Sequence, residues 1–368
     1  MWPYWLFYLI PAFAALAQPR VSLSDWRMRT SRRWNGGWVF ALIALVLLVG
    51  YRFQVGGDWS NYLRNLEQMR YVELDAVFTK SDPGYRLLEW LSLHFDWGIY
   101  GVNVIGAMFF ALGLVLFCRS LPRPWLALAV AMPYLVTVVG MGYTRQGIAL
   151  GIGLMALTAL GKRSILLFVL LVLLAATFHK SAVLLLPIAA LAATEKRIWT
   201  AIWVGAFTLL GYVAFLEESV EHLYRGYIEA EYQSQGAQIR LLMNAVPAAI
   251  LLLWRNHFQM SLQQMQLWKW FAFISLGLLA AFYVTPYSTA IDRIALYMIP
   301  LQLAVFSYVP EVFGRSRERN TPFVMAVLLY YTAVLFVWLN FATHARYWIP
   351  YQFYPFVDPY ALPPGAMW

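Results

Sequence analysis

Long apolar runs alternate with short polar breaks along almost the whole chain. The breaks contain charged residues or proline and glycine, and this pattern predicts about twelve helices. The predicted helices cover residues 2–17, 37–51, 99–118, 125–141, 143–160, 164–178, 181–194, 198–216, 239–254, 269–284, 291–309 and 323–341. Several runs are shorter than the roughly 20 residues that a bilayer crossing takes, which predicts tilted, broken or re-entrant helices among them.

Composition supports the same interpretation. Of the 368 residues, 61% are hydrophobic and only 12% are charged, far from the roughly 25% charged residues of soluble domains. We therefore predict an all-α polytopic integral membrane protein, with residues 1–368 as a single domain. The one cysteine, Cys118, excludes an intramolecular disulfide. The first run, Trp2 to Ala17, has no basic segment before it and is interpreted as a retained span rather than a signal peptide.

Charge along the chain predicts its orientation. If residues 18–36 are cytoplasmic, 16 of the 27 basic residues but only 4 of the 18 acidic residues fall inside, as the positive-inside rule requires. The net charge of +9 then fits contact with anionic lipid better than binding of nucleic acid. The same orientation places three segments outside: a polar segment at 51–98, a loop or lid at 217–238, and an aromatic tail at 342–368.

The outer segment 51–98 contains two turn motifs. In GGDWSNY, two glycines permit a tight turn before Asp58, which can cap a helix or act as a general base or sugar-hydroxyl acceptor. Asn61 and Tyr62 share the helix face of Asp58. In DPGY, the chain bends again before a short amphipathic helix from Tyr85 to Phe95. The aromatic tail is too rich in proline for a helix, and it is interpreted as an interfacial belt or a carbohydrate-stacking surface.

Charged residues also mark the outward ends of several predicted helices. They are Arg52, Asp58, Asp82, Arg86, Arg145, His179, Arg240, Asp292 and Arg293. The positive-inside rule disfavours arginine there, so these arginines indicate an anionic partner, either an outer carboxylate or a ligand. Arg145 opens a helix, where the guanidinium and the helix dipole would attract the same phosphate.

Two other polar residues each leave more than one interpretation open. His179 can carry a proton near neutral pH or serve as a hydrogen-bonded structural residue. Asp292 can react, cap its helix or pair with an arginine, and Tyr297 follows Arg293 by one helical turn. The sequence has no HExxH, CxxC, DxD or Walker motif, so we expect neither a metal site nor a nucleotide cofactor.

Five segments in this order resemble the EpsG family of bacterial exopolysaccharide proteins, which are Wzy-like polymerases. They are GGDWSNY, DPGYRLLEWLS, TRQGIAL, FHKSAVLLLP and DRIALY, spanning residues 51 to about 300 and leaving the aromatic tail outside. The resemblance implies a GT-C-like scaffold in the bacterial inner membrane. It also implies polymerisation of undecaprenyl-diphosphate-linked oligosaccharide repeat units at the periplasmic face, without a cofactor, alongside a flippase and a chain-length regulator.

Joining this resemblance to the polar residues gives a hypothesis for the site. Asp58 or His179 is the catalytic base, and Arg145, Arg293 and, more weakly, Arg240 bind the diphosphate. The sugar and cap contacts are Asn61, Tyr62, Asp82, Tyr85, Arg86, Asp292 and Tyr297. Three alternatives stay open: an O-antigen-ligase-like transferase, a flippase or other transporter of lipid-linked oligosaccharide, and a membrane acyltransferase.

Overall fold

The computed structural model describes residues 1–18, 34–162, 164–192, 202, 205–206, 236–285, 288–315 and 319–357. The predicted span 198–216 falls almost entirely outside these residues, as do most of the loop 217–238 and the tail beyond 357. The α-helices in the described ranges are α1 Trp2–Ala17, α2 Gly36–Gly50, α3 Trp59–Met69, α4 Leu74–Val77, α5 Pro83–His94, α6 Gly98–Arg119, α7 Pro124–Ala131, α8 Thr144–Gly161, α9 Ile165–Phe178, α10 Leu185–Ala192, α11 Ala237–Leu253, α12 Leu262–Val284, α13 Ser288–Ala295, α14 Pro300–Phe313 and α15 Thr321–Phe341.

Most of the predicted apolar runs in the described residues form helices close to the expected boundaries. The run predicted at 269–284 instead begins at Leu262, and the run predicted at 181–194 begins as a 3₁₀ turn, Lys180–Leu184. Two further runs change within their length. The run predicted at 125–141 changes from α-helix to π-helix at Met132 and continues to Gly140. The run predicted at 291–309 starts earlier, at Ser288, and bends by 45° between Met298 and Pro300. Proline explains the second break, because Pro300 lacks the N–H that would continue the helix and its ring clashes with the preceding turn.

Three helices in the described part of the chain are long and apolar enough to cross a membrane unaided. They are α6, α12 and α15, and the bent pair formed by residues 288–298 and 300–313 makes a fourth if it is one span. The described residues also form shorter apolar helices, among them α1, α2, α9 and α11. The chain is therefore a helical membrane protein, whereas twelve crossings and a GT-C-like scaffold stay predictions.

Helix α6 lies at the centre of the bundle. In its apolar window 67% of residues are buried, against 28% in α12, which leaves much of α12 facing outward. Close packing of α6 on α8 depends on small residues, because a Cβ at Gly113 would overlap the backbone of Gly151, and a Cβ at Gly151 would overlap that of Phe110. The glycines of α6 and α8 therefore permit the close approach of the two helices.

Segment 51–98, called the cap below, lies across one end of the bundle, which we call the cap end. Gly56 turns the chain with φ = +111°, and α3 starts directly after Asp58. The predicted amphipathic helix is α5, and its Tyr85 packs against Tyr62 of α3 with ring centroids 6.0 Å apart. The start of α5 touches the end of α9 so closely that a Cβ at Gly84 would overlap the side chain of Thr177.

The described part of the aromatic tail is a strap over the cap end. It contains two 3₁₀ turns, Thr343–Tyr347 and Tyr354–Phe356, and a short strand, β2 Gln352–Phe353. This strand pairs antiparallel with β1 Arg52–Phe53 of the cap. The tail has no α-helix in residues 343–357, as its prolines predict, and its pairing with the cap makes it part of the folded core.

Buried side chains anchor the strap. The indole of Trp348 donates to the carbonyl oxygen of Thr137 at 2.7 Å, and it lies against Gly142, where a Cβ would overlap the ring. From helix α1, the hydroxyl of Tyr4 donates to the backbone carbonyl oxygen of Trp348 at 2.6 Å. The strap therefore joins the first helix to the last.

Candidate functional site

Asp82 is the central carboxylate of the cap end. It precedes α5 in the left-handed conformation, at φ = +57°, which aspartate tolerates better than most residues. Its Oδ2 accepts from Nη1 of Arg145 at 2.9 Å, and its Oδ1 accepts from the backbone N–H of Lys180 at 3.3 Å. The Nδ1 of His179 lies 4.0 Å from the same Oδ2. Asp82 thus brings the cap together with the start of α8 and the end of α9.

The charges around Asp82 decide its protonation and that of His179. Burial raises the pKa of the Asp82 carboxyl, but His179 and Arg145 outweigh that effect and hold the pKa below its usual range. Burial lowers the pKa of the His179 imidazole, Asp82 opposes this, and Arg145 and Arg293 reinforce it, with a net decrease. At neutral pH the pair is therefore a carboxylate beside a neutral imidazole, which is able to accept a proton.

Arg293 of α13 is held by neutral groups. Its guanidinium lies over the ring of Tyr143, 4.9 Å from the centroid, and its Nη1 donates to Oε1 of Gln146 at 3.4 Å. The Nε2 of Gln146 in turn donates to the backbone carbonyl of Arg293 at 3.0 Å. Within the described residues, no carboxylate lies at ion-pair distance from Arg293. Its positive charge is therefore not neutralised by these neighbours.

Arg240 differs from Arg293 because it has a close acidic partner. Its Nε and Nη2 donate to the two carboxylate oxygens of Asp292 at 2.6 and 2.7 Å, a bidentate pair between α11 and α13. Tyr143 interacts electrostatically with Arg240, Arg293 and Asp292, and Arg293 also interacts with His179. The two arginines, their partners and the residues around Asp82 are called the cluster below. Asp292 lies in the last turn of α13, which identifies it as a pairing residue rather than an N-terminal cap.

Three of the predicted tyrosines line this cluster. Tyr62, Tyr85 and Tyr297 are all buried, and the hydroxyls of Tyr85 and Tyr297 have no hydrogen-bond partner within the described residues. Arg145 lies over Tyr85, 5.9 Å from the ring centroid, and Tyr62 interacts electrostatically with both Arg145 and Arg293. Tyr297 interacts electrostatically with Asp82 and Arg293. Buried, unmatched hydroxyls beside charged groups are suited to binding polar ligand atoms.

The remaining predicted residues lie further out on the cap. Asp58 occupies the N-cap position of α3 without a side-chain capping bond, and it accepts from Nδ2 of Asn61 at 3.4 Å. Asn61 is exposed, whereas Asp58 is half-buried and interacts electrostatically with Tyr62. Arg86 pairs with Glu89 on its own helix at 2.8 Å. These residues border the cluster rather than contact its arginines directly.

Arg52 departs from what the sequence predicts. An outward arginine indicates an anionic partner, but the Arg52 side chain is buried and donates to neutral oxygens: the carbonyls of Val49 and Val55, the amide of Asn103 and the hydroxyl of Thr144. The reason is its place at the end of α2, where it satisfies free carbonyls and ties the cap to α6 and α8. Arg52 is therefore a structural residue.

Sequence reasoning missed three residues of the cluster. Gln146 follows Arg145 in TRQGIAL and is polar within an apolar helix, which is the signal that identifies it. Tyr143 precedes the same helix. Glu89 lies one helical turn after Tyr85 on the same face of α5. Burial raises the pKa of the Glu89 carboxyl despite the opposing charge of Arg86, and its Oε1 has no partner within the described residues.

The cluster as a whole favours an anion. Its four cations, Arg145, Arg240, Arg293 and Lys180, outnumber its three acids, Asp82, Asp292 and Glu89. Arg145 remains partly accessible, with 34% of its side chain exposed. Among the described residues, no group of three His, Cys, Asp or Glu side chains is placed to hold a metal ion. Arginine, histidine and tyrosine are thus the chemical groups that this end of the bundle offers.

Comparison with known proteins identifies the family of the chain. The sequence profile of the EpsG family matches residues 37–353, which is most of the chain. The chain belongs to the EpsG family. The match extends past the five motifs and includes the strap as far as residue 353, so the expectation that the tail lies outside the family is corrected. No curated protein and no solved structure matches the chain.

Membership of the EpsG family indicates an exopolysaccharide polymerase of glycosyltransferase type, working in a membrane. Each of the five motifs has a place in the geometry at the cap end. GGDWSNY and DPGYRLLEWLS supply the cap with Tyr62, Asp82 and Tyr85. The other three supply Arg145, His179 and the Asp292–Arg293 turn.

Proposed function

We propose that this EpsG protein polymerises oligosaccharide repeat units carried on undecaprenyl diphosphate, at the periplasmic face of the bacterial inner membrane. The proposal rests on the surroundings of Arg293. This arginine has no carboxylate partner within the described residues, and it lies in a cluster with two arginines that are each paired with an aspartate. A diphosphate supplies the missing negative charge, and planar guanidinium groups bind phosphate oxygens in pairs.

The proposal includes an orientation and a scaffold. The excess of basic residues in the loops at the other end supports a periplasmic position for the cap end. About twelve crossings on a GT-C-like scaffold remain our proposal for the complete chain. We also expect two partners. One is a flippase, because the polymerase needs its lipid-linked substrate at the periplasmic face of the membrane, and the other is a regulator of chain length.

The reaction that we propose is a displacement at the anomeric carbon of the growing chain. A hydroxyl at the non-reducing end of the incoming unit forms the new C–O bond, while the bond from the anomeric carbon to the diphosphate breaks. The electron pair of that bond leaves with undecaprenyl diphosphate, where Arg293 and Arg145 stabilise the charge. The hydroxyl proton passes to Nε2 of His179, which we favour over Asp58 because His179 lies 4.0 Å from the Asp82 oxygen that Arg145 binds.

The test is a deletion strain complemented with variants, read as a gel profile of surface polysaccharide and lipid-linked units. We expect Arg293→Ala to lower polymer yield about a hundredfold or more, the usual effect of losing one charge-stabilising donor. Arg293→Lys keeps the charge without the planar fork and should be intermediate. The matched control is Arg70→Ala, an exposed arginine of the cap outside the cluster, which should restore full-length polymer.

The deletion strain itself separates the candidate functions. Single lipid-linked repeat units that accumulate outside indicate a polymerase. Full-length but unattached chains indicate a ligase, and units retained on the cytoplasmic face indicate a flippase. Polymer of normal length and yield from Arg293→Ala, with protein present at wild-type level, would contradict the diphosphate site proposed here.

A further inference from the structure

The carboxylate of Asp82 has two candidate partners for one oxygen. Nη1 of Arg145 donates to Oδ2 at 2.9 Å. Nδ1 of His179 lies 4.0 Å from that same oxygen and has no hydrogen-bond partner within the described residues. A distance of 4.0 Å is too long for a hydrogen bond, so the histidine is adjacent but unbonded. A buried ring nitrogen without a partner is unusual and calls for a physical reason.

The three side chains differ in their freedom to move. Only 3% of the Asp82 side chain is exposed, and its other oxygen is held by the backbone N–H of Lys180. Arg145 is 34% exposed and reaches Asp82 through one nitrogen only. On the far side of the imidazole, Nε2 of His179 lies 3.5 Å from the Ser181 hydroxyl, at the limit of a hydrogen bond. Arg145 is therefore the group that a ligand can draw away.

We propose that Asp82 is a positioning residue that changes partner during the reaction, holding Arg145 before a lipid diphosphate binds and His179 once the diphosphate has engaged Arg145. This rests on the function proposed above. With Arg145 on the diphosphate, Oδ2 loses its donor, and Nδ1–H of His179 needs to move by only about 1 Å to replace it. The bond fixes the proton on Nδ1 and leaves the lone pair of Nε2 toward the acceptor hydroxyl.

The exchange links substrate binding to the strength of the base. The charged groups that face His179 are Asp82 from the cap, Arg145 from α8 and Arg293 from α13, with Lys180 next in the chain. Before the diphosphate binds, the positive charges of Arg145 and Arg293 oppose protonation of the imidazole. After the exchange, the charges of Arg145 and Arg293 are answered by the diphosphate and Asp82 bonds His179 directly, so the basicity of His179 rises when the donor is in place.

Asp82→Asn tests the exchange, because asparagine keeps the shape and also tolerates positive φ while removing the charge. Purified protein in nanodiscs is titrated with undecaprenyl diphosphate, and turnover is measured with the lipid-linked repeat unit. We expect undecaprenyl diphosphate to bind about two- to fivefold more tightly, since a partly exposed ion pair no longer competes for Arg145. We expect kcat to fall about 10- to 100-fold, because the base loses its partner.

The pH profile is the second measurement. The acid limb of kcat/KM reports His179 in the free protein, and the acid limb of kcat reports it in the complex. In the wild type, the acid limb of kcat should lie at higher pH than the acid limb of kcat/KM. In Asp82→Asn, the pH difference between the two acid limbs should be smaller. The matched control is Asp96→Asn, an exposed cap aspartate that also has positive φ, at +54°, and it should leave both limbs unchanged.

The outcomes separate this inference from the proposed function. If Asp82→Asn weakens binding of undecaprenyl diphosphate together with kcat, or keeps the wild-type gap between the limbs, Asp82 is only structural and the exchange is wrong. If the wild type itself fails to bind undecaprenyl diphosphate, the proposed function falls. If the wild type binds it and Arg293→Ala does not, the function stands whatever Asp82→Asn shows.

Discussion

Two ion pairs of similar length lie at opposite ends of the bundle and have different roles. At the cap end, Arg145 and Asp82 are 2.9 Å apart, and at the other end Arg123 and Glu311 are 2.8 Å apart. The difference is access, because 34% of the Arg145 side chain is exposed but only 4% of that of Arg123. Accessibility therefore distinguishes an arginine that can bind a ligand from one that holds helices together.

The buried ion pair between Arg123 and Glu311, called the clamp below, connects three helix ends. Arg123 precedes α7, Glu311 lies near the end of α14, and Arg123 also donates to the backbone carbonyl of Arg319 at 3.0 Å before α15 begins. Three helix ends meet at this one guanidinium. Removing one partner of such a buried pair leaves the other charge without compensation, which costs more than the pair contributes when intact.

Breaking this clamp should give the largest change in stability. We expect Glu311→Ala to lower the free energy of unfolding by about 3–5 kcal/mol, because Arg123 is left charged and buried. Thermal unfolding in detergent, followed by tryptophan fluorescence, measures the effect. Glu311→Gln retains an acceptor and should lose less. Affinity for undecaprenyl diphosphate should stay at the wild-type value in the protein that remains folded, and a melting temperature equal to the wild type would refute the clamp.

A smaller loss is expected where the cap meets the bundle. A Cβ at Gly84 overlaps the side chain of Thr177, so Gly84→Ala must displace the start of α5 at a cost of about 1–3 kcal/mol. Asp82 lies two residues earlier, and polymer yield should therefore fall as well. Thr177→Ala in the same chain should restore part of both losses.

Gly57→Ala is the matched control for Gly84→Ala. It adds the same methyl group to the cap, where the nearest side-chain atom, from Tyr347, stays at an ordinary contact distance of 3.7 Å. Gel profiles and melting temperatures of the two variants are compared side by side. If Gly84→Ala behaves like Gly57→Ala, the close contact with α9 does not set the position of Asp82.

The smallest effect is expected from a polar chain inside the bundle whose bonds are complete. The hydroxyl of Tyr331 donates to Oε1 of Gln302 at 2.7 Å, and Nε2 of Gln302 donates to Oδ1 of Asn244 at 2.6 Å. Tyr331→Phe removes one neutral bond and should cost about 1 kcal/mol. Its polymer yield should match the wild type, and a loss of yield at normal stability would extend the site into the bundle.

Sequence patterns predicted the helices better than the contacts between their ends. Apolar length and the positive-inside rule placed Arg145, His179 and Arg293 near helix ends, because a membrane penalises charge elsewhere. They did not predict which arginine pairs with which aspartate, since that depends on how helices distant in sequence pack. Arg52 shows the limit, because its neutral partners come from three separate parts of the chain.

The bend at Pro300 and the strap were also beyond the sequence patterns. Hydropathy reads residues 291–309 as one run, although the proline there divides it into two helices. Proline and aromatic residues in the tail indicated a membrane interface, whereas the pairing of β2 with β1 depends on a partner about 300 residues away. Such long-range pairings have no local signal in the sequence.

The contact between Tyr4 and Trp348 has a consequence for biosynthesis. A chain that inserts as it is translated exposes its first helix long before the ribosome reaches residue 348, so the partner of the Tyr4 hydroxyl arrives last. During that interval the cap lacks β2, and the groove beside Gly142 lacks the Trp348 ring. The contacts of Trp348 and β2 at the cap end therefore form only after these residues have been synthesised.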